Sequence, residues 1–172
     1  MPARRYNPPM SRLRRMLLTG RIFFITTHVE PSALPLTPTE NDTILLAASD
    51  ARKNRKFALL GYLMMPTHLH LLLAPTQSDT LSAMLREIKI TASKRIHAAR
   101  KTSGGFWQPR SFDRIIRSRA IFEKALLYLH LNPVEANLTD HPAKWRWSSW
   151  FAYNPGGTPI IPIDRIDWPI TE

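Results

Sequence analysis

The first residues whose spacing suggests chemistry are His68-Leu69-His70. In a strand, residues two apart project from the same face, so both imidazoles point one way while Leu69 turns to the other. Imidazole is the commonest metal ligand near neutral pH, and a pair so placed makes a bidentate platform. The spacing also suits two unrelated surface histidines or a satisfied polar pair; the apolar run around them, HLHLLLA, argues against casual exposure. A second pair, Tyr128 and Asn132, stands four residues apart near the end of a predicted helix, which puts both on one face. Tyrosine can serve as a covalent nucleophile, and a nearby cation or basic side chains would favour its phenolate. Asn132 can offer an oxygen to a hard cation or orient the tyrosine. The alternatives are a tyrosine packed in the core and an asparagine that marks a helix stop. A third group, Phe106, Trp107 and Gln108 followed by Arg110, Arg114 and Arg117, combines rings that can stack on unpaired bases with guanidinium groups that can bind phosphate. Its alternative is a core tryptophan beside a charged strand.

The elements that must position these groups are legible in outline. RIFFITTHV (residues 21–29) is β-branched and aromatic and predicts a strand. Residues 31–41 (PSALPLTPTEN) hold three prolines and predict a loop; a helix is expected over 42–52, capped by Asn41 or Asp42. FALLGYLMM (57–65) and HLHLLLA (68–74) predict two strands turning at Met65–Thr67, or one bulged strand. A long helix follows, capped by Ser78 or Asp79 and reaching about Arg100. Its buried stripe comprises Leu81, Met84, Leu85, Ile88, Ala92, Ile96 and Ala99; Arg86 and Lys89 fall mostly outside it and are candidate DNA contacts. Residues 106–117 read as an irregular aromatic stretch leading into a strand. The last helix starts near Ser118 and is expected to stop at Asn132, because a proline constrains the residue before it. The tail from Val134 carries Trp145, Trp147, Trp150 and Trp168 and is expected to wrap the core. Without a strict βαβ rhythm, the pattern predicts an α+β fold with helices on one face of an antiparallel sheet.

Composition narrows the function. A chain of 172 residues with 44% apolar content supports one domain with a real core. The absence of cysteine removes disulfides, thiolate metal sites and a cysteine nucleophile. No apolar run approaches the roughly 20 residues of a membrane helix, and no secretory signal pattern is present, so a cytoplasmic, soluble protein with no membrane partner is expected. The net charge of +11 points to a polyanion, nucleic acid first. Residues 51–124 carry 15 Lys/Arg against four acids, so the excess lies where the candidate chemistry lies. Residues 1–20 hold five arginines and no acid, a basic arm able to hold phosphates or merely to aid solubility.

Taken together, GYLMMPTHLHLLL (Gly61–Leu73), GGFWQPRSFDRIIRS (Gly104–Ser118), YLHLNPVEANL (Tyr128–Leu138) and WRWSSW (Trp145–Trp150) resemble the HUH single-strand transposases, and within them the REP-associated tyrosine transposases. The resemblance spans roughly Arg21 to Tyr153. It implies a ferredoxin-like sheet (the HUH endonuclease fold), a catalytic domain over 21–153 and a tail over 154–172. It implies that His68 and His70 bind Mg²⁺ or Mn²⁺, that Asn132 completes the metal site, and that Tyr128 is the nucleophile. The DNA would be a hairpin formed by an extragenic palindrome, cut and rejoined as a single strand through a 5′-phosphotyrosine. No role carries over to Asp113. The proline-rich segment over 31–41 lies outside the resemblance and can alter access. The long tail favours a monomer, with a dimer as the alternative. A competing expectation is a hairpin-binding protein on the same fold without catalysis. A two-histidine phosphoesterase is disfavoured, since His28, His97, His130 and His141 supply no paired H-x-S/T motifs.

Overall fold

Residues 58–64 and 69–74 are buried without a break. The computed structural model describes residues 21–75 and 80–165, so the basic arm, Ser78, Asp79 and Trp168 lie outside the described residues. Four strands, β1 (Ile22–Val29), β2 (Ala58–Met64), β3 (His68–Ala74) and β4 (Trp107–Ile116), form one sheet in the order β2-β3-β1-β4, antiparallel throughout. The 58–74 segment is a hairpin, closed where the Met65 N–H donates to the His68 carbonyl at 2.8 Å. Three long helices are α1 (Pro38–Arg55), α2 (Leu81–Arg100) and α3 (Arg119–Glu135); a single turn, α4 (Trp150–Tyr153), follows in the tail. The α+β expectation is met.

The helices divide between the two faces. Leu69, Leu71 and Leu73 of β3 join Ile25 and Val29 of β1 under α1 and α2, where Ile44, Leu45, Met84, Ile88, Ala92 and Ile96 meet them. The expectation was of helices on one face only. The opposite face carries Ile22, Phe24, Leu60, Leu63 and Leu72, and α3 covers it with Phe122, Ala125 and Leu129. The difference has a direct cause: every β2 residue is buried, as is β3 beyond His68, and strands apolar on both sides require cover on both sides. Gly61 lets α3 come close, since a Cβ there would lie 3.3 Å from Leu126 and Leu72 side-chain carbons.

Element ends follow local chemistry. Helix α1 begins four residues before its expected start because Thr37-Pro38-Thr39-Glu40 is a capping box: the Thr37 hydroxyl accepts from Glu40 N–H and the Glu40 carboxylate accepts from Thr37 N–H. Thr80 caps α2 and Ser118 caps α3; Ala99, expected in the α2 stripe, is exposed. Pro133 does not end α3, which runs to Glu135. A proline in the last turn loses only its own N–H, and the chain closes with Ala136 N–H on the Asn132 carbonyl and Leu138 N–H on that of Pro133. The proline-rich segment packs Ala33, Leu34 and Leu36 into the α1–α2 core. There Arg100 binds the Glu40 carboxylate and the Ala33 carbonyl, and this guanidinium holds the Glu40 carboxyl down to about 2.

The two sheet edges differ. Edge strand β2 is covered by the tail: Met64 N–H donates to the Trp147 carbonyl, Ser149 N–H to that of Tyr62, and Asp164 N–H to that of Leu59. The Asp164 carboxylate also takes two hydrogen bonds from Arg52, and Ile161 is buried beside Tyr62. No such strap crosses β4 among the described residues. Leu71 is fully buried at the centre of the sheet, so Leu71→Ala should cost about 2–5 kcal/mol, read as a lower urea midpoint with an unchanged slope; a loss below about 1 kcal/mol would contradict the packing described.

Candidate active site

Strand alternation places His68 and His70 on the α3 face of the sheet. His70 is buried and His68 half-buried, and their Nε2 atoms lie 3.0 Å apart. Each Nδ1 is engaged elsewhere. That of His70 shares a hydrogen bond with the Thr26 hydroxyl at 2.8 Å, across the β1–β3 register, and that of His68 with the Thr67 hydroxyl at 3.0 Å. A hydroxyl on Nδ1 fixes ring orientation and leaves Nε2 for a ligand, the arrangement found around metal-bound histidines. Burial, with His28 adding to it, pushes His68 down to about 4. Burial first, then His68 and His28, pushes His70 down to about 3. Both rings are therefore neutral at pH 7, the state in which imidazole ligates metal. Two ligands about 2.1 Å from one ion at a right angle stand about 3.0 Å apart, so the donor pair fits a single divalent cation.

Tyr128 reaches the same place from α3. That helix buries Phe122, Ala125 and Leu129, which leaves Tyr128 at the border of the covered region and 46% exposed. Its ring centroid is 6.1 Å from that of His70 and 6.0 Å from that of Phe24. Asn132 stands one turn further along α3 and is half-buried. Beneath the helix, His130 is buried with its Nε2 2.9 Å from the Ser149 hydroxyl, and burial pushes it down to about 4. Beside Tyr128 an open cleft of about 300 Å³ is lined by Phe24, Thr26, Phe112, Asp113, Arg114 and Tyr128. The arrangement sets a phenol next to two neutral imidazoles whose Nε2 atoms face each other within hydrogen-bond distance.

No protein-family model matches the chain. The chain is 26% identical over 156 residues to the REP-associated tyrosine transposase of Escherichia coli strain K12, a match covering 90% of each protein. Its fold is similar to that of a solved REP-associated tyrosine transposase bound to a REP hairpin, with a TM-score of 0.68 and 21% identity, covering 99% of this chain and 98% of that one. The chain resembles the REP-associated tyrosine transposases.

In this transposase-like chain the basic and aromatic residues do not form one surface. Arg114 lies beside the cleft, its Cζ 5.5 Å from the Phe24 ring centroid, and Arg110 and Arg117 are exposed on and just past β4. Trp107 instead packs against the α1–α2 core and donates its indole N–H to the Lys89 carbonyl at 3.1 Å. Lys89 donates in return to the Gln108 carbonyl at 3.0 Å, and burial lowers its pKa. These three residues clamp β4 to α2, and exposed Arg86 stands on that helix too. The cause is an irregularity in β4: Val29 pairs with Trp107 while Thr27 pairs with Ser111.

Phe24, Thr26, His28 and Phe112 stand at the site and were not singled out in the sequence. His28 pairs across the sheet with His68 and stacks on it, centroids 5.1 Å apart; its buried Nδ1 has no partner among the described residues. Phe112 meets His28 edge-on at 6.2 Å. Alternation in FFITTH puts Phe24, Thr26 and His28 in phase, a readable signal, but their register against His68 is not.

His68, His70 and His130 predict an acid-labile fold. Their folded pKa values of about 4, 3 and 4 lie below the ordinary 6.5. The unfolded chain therefore binds more protons as pH falls below about 6.5, and stability complete above that pH is lost toward 4. Urea unfolding of the chelator-treated protein at pH 7.5, 6 and 5 should show falling stability before carboxylates titrate; a flat profile would mean the rings are not held neutral.

Proposed function

We propose that this chain is a DNA-processing enzyme of the tyrosine transposase kind, which cleaves and rejoins single-stranded DNA bearing a REP-like hairpin. The observation that carries the reading is that Tyr128, which lines an open cleft with Asp113 and Arg114, has its ring 6.1 Å from that of His70, whose Nε2 faces that of His68 at 3.0 Å. Similarity to a REP-associated tyrosine transposase over 90% of the chain supports it, and the related fold seen with a REP hairpin supports the choice of substrate.

His68 and His70 would hold a Mg²⁺ or Mn²⁺ ion, with Asn132 available as an oxygen donor from α3. When bound, the ion draws charge from the scissile phosphate and stabilises the transition state. The imidazole donors suit Mn²⁺ at least as well as Mg²⁺, which prefers oxygen. Tyr128 supplies the nucleophile: its oxygen bonds to phosphorus as the bond to the 3′ oxygen breaks, and the departing 3′ oxygen takes a proton. The 5′ end stays on Tyr128 as a phosphodiester. A free 3′-hydroxyl can then attack that ester and restore the phenol, so joining needs no ATP. Arg114 beside the cleft, with Arg110 and Arg117 along the open edge, meets phosphates of the strand. Tyr128 lines an open cleft of about 300 Å³, a size that suits one unpaired nucleotide.

A labelled single strand carrying a palindromic hairpin, incubated with Mn²⁺ and run on a denaturing gel, should give a covalent protein–DNA adduct that vanishes in Tyr128→Phe. His68→Ala and His70→Ala should lose the adduct while retaining DNA binding. Tight binding by wild type without any adduct, across several palindromes, would favour a hairpin-binding protein without catalysis. The Thr26 hydroxyl gives a finer test. Thr26→Val should weaken Mn²⁺ binding by about 10–100-fold in calorimetry with folding retained; an unchanged dissociation constant would mean that the hydroxyl does not position His70 for metal.

A further inference from the structure

Phe112 is 65% exposed, the largest exposure of any big apolar side chain among the described residues. It stands on β4, the sheet edge that no tail segment covers among the described residues. The register sets it opposite Thr26, whose hydroxyl holds His70. Its ring meets His28 edge-on, with an interplanar angle of 89°, and His28 stacks on His68 at 30°. A row of rings thus runs from Phe112 through His28 to the histidine pair and Tyr128. Arg114, two residues along the same strand and across from Phe24, lines the cleft with Phe112.

An exposed aromatic ring beside a guanidinium group is the combination that binds unpaired nucleic acid: the ring stacks on a base and the cation meets a phosphate. His28 meets the ring on one side, and the rest of it stays open to a base. The cleft of about 300 Å³ is at the small end of ligand sites, suited to one nucleotide. Duplex bases are stacked on each other and have no free face to offer.

We propose that Phe112 is a stacking platform for one unpaired nucleobase next to the phosphate that Tyr128 attacks, with Arg114 on a neighbouring phosphate. The inference rests on reading the cleft as a single-strand DNA site. The platform selects unpaired DNA at the cleavage point and sets the register of the strand against the histidine pair.

The test pairs a protein change with a DNA change. Hairpin oligonucleotides are made with the base removed at one flank position at a time, and binding is measured by fluorescence anisotropy in chelator, where no cleavage runs. Phe112→Ala should weaken binding of the intact strand about tenfold, and Phe112→Trp should restore it. One abasic position beside the cleavage point should cause a similar loss in wild type and no further loss in Phe112→Ala. Additive losses, or Phe112→Ala binding like wild type, would overturn the proposal. A 2-aminopurine at that position should be quenched on binding wild type, which keeps the question decidable if Phe112→Ala folds poorly; no quenching overturns it. Sedimentation of wild type and Phe112→Ala should give one oligomeric state, whereas a dimer lost on substitution would make the ring a contact between copies and sink the idea. Adduct formation on the same strands is scored separately. Coupling without an adduct leaves Phe112 as a base-stacking site but removes its place beside an attacked phosphate together with the enzymatic reading; an adduct without coupling removes the platform alone.

Discussion

Two neighbouring strands with no polar side constrain everything else. Strands β2 and β3, apart from His68 and His70 at one end, are apolar on both faces, so neither face of that half-sheet can be left to water. Helices α1 and α2 cover one face, and a single helix, α3, is left for the other. Four strands at about 4.8 Å spacing are wider than one helix of about 10 Å diameter. Helix α3 therefore covers the β2–β3 half together with Ile22 and Phe24 of β1 and Ile116 of β4, and leaves open the part of that face around Thr26 and Phe112. The cleft is the uncovered remainder, and Tyr128 stands on its border because α3 buries the residues on its inner side.

The same geometry explains why the histidines are ready for use. They belong to a core strand, so burial keeps them neutral, and their Nε2 atoms face each other at 3.0 Å. The threonine hydroxyls on their Nδ1 atoms come from β1 and from the hairpin turn. Rings restrained by packing and by such hydrogen bonds need little rearrangement when a ligand arrives. His28 extends the group toward the open edge and is the link between the histidine pair and Phe112.

The basic charge is divided rather than gathered. Arg114 faces the cleft, while Lys89 is used internally to fasten β4 to α2. Trp107 has the composition of a base-stacking residue, yet its N–H is satisfied by Lys89 and its ring packs with the core. Phe112, five residues later, is the exposed ring beside the site. Composition alone cannot separate the two, because the irregularity between Val29 and Thr27 shifts which β4 side chains face which layer.

By itself the sequence determined the elements and the shared face of His68 and His70, because helical and strand periods are local properties of the backbone. It also carried the α1 capping box in Thr37–Glu40, a signal that the proline-rich composition around it obscures. It marked α3 and its Ser118 cap, although Pro133 near the end proved compatible with one more turn. The tertiary structure decided which side of the sheet α3 takes, that Tyr128 stands about 6 Å from His70, and that Thr26, His28 and Phe112 join them. Those relations depend on strand register and on which half of a face a helix covers. Both are set by burial summed over residues far apart in the chain, and no local pattern contains them.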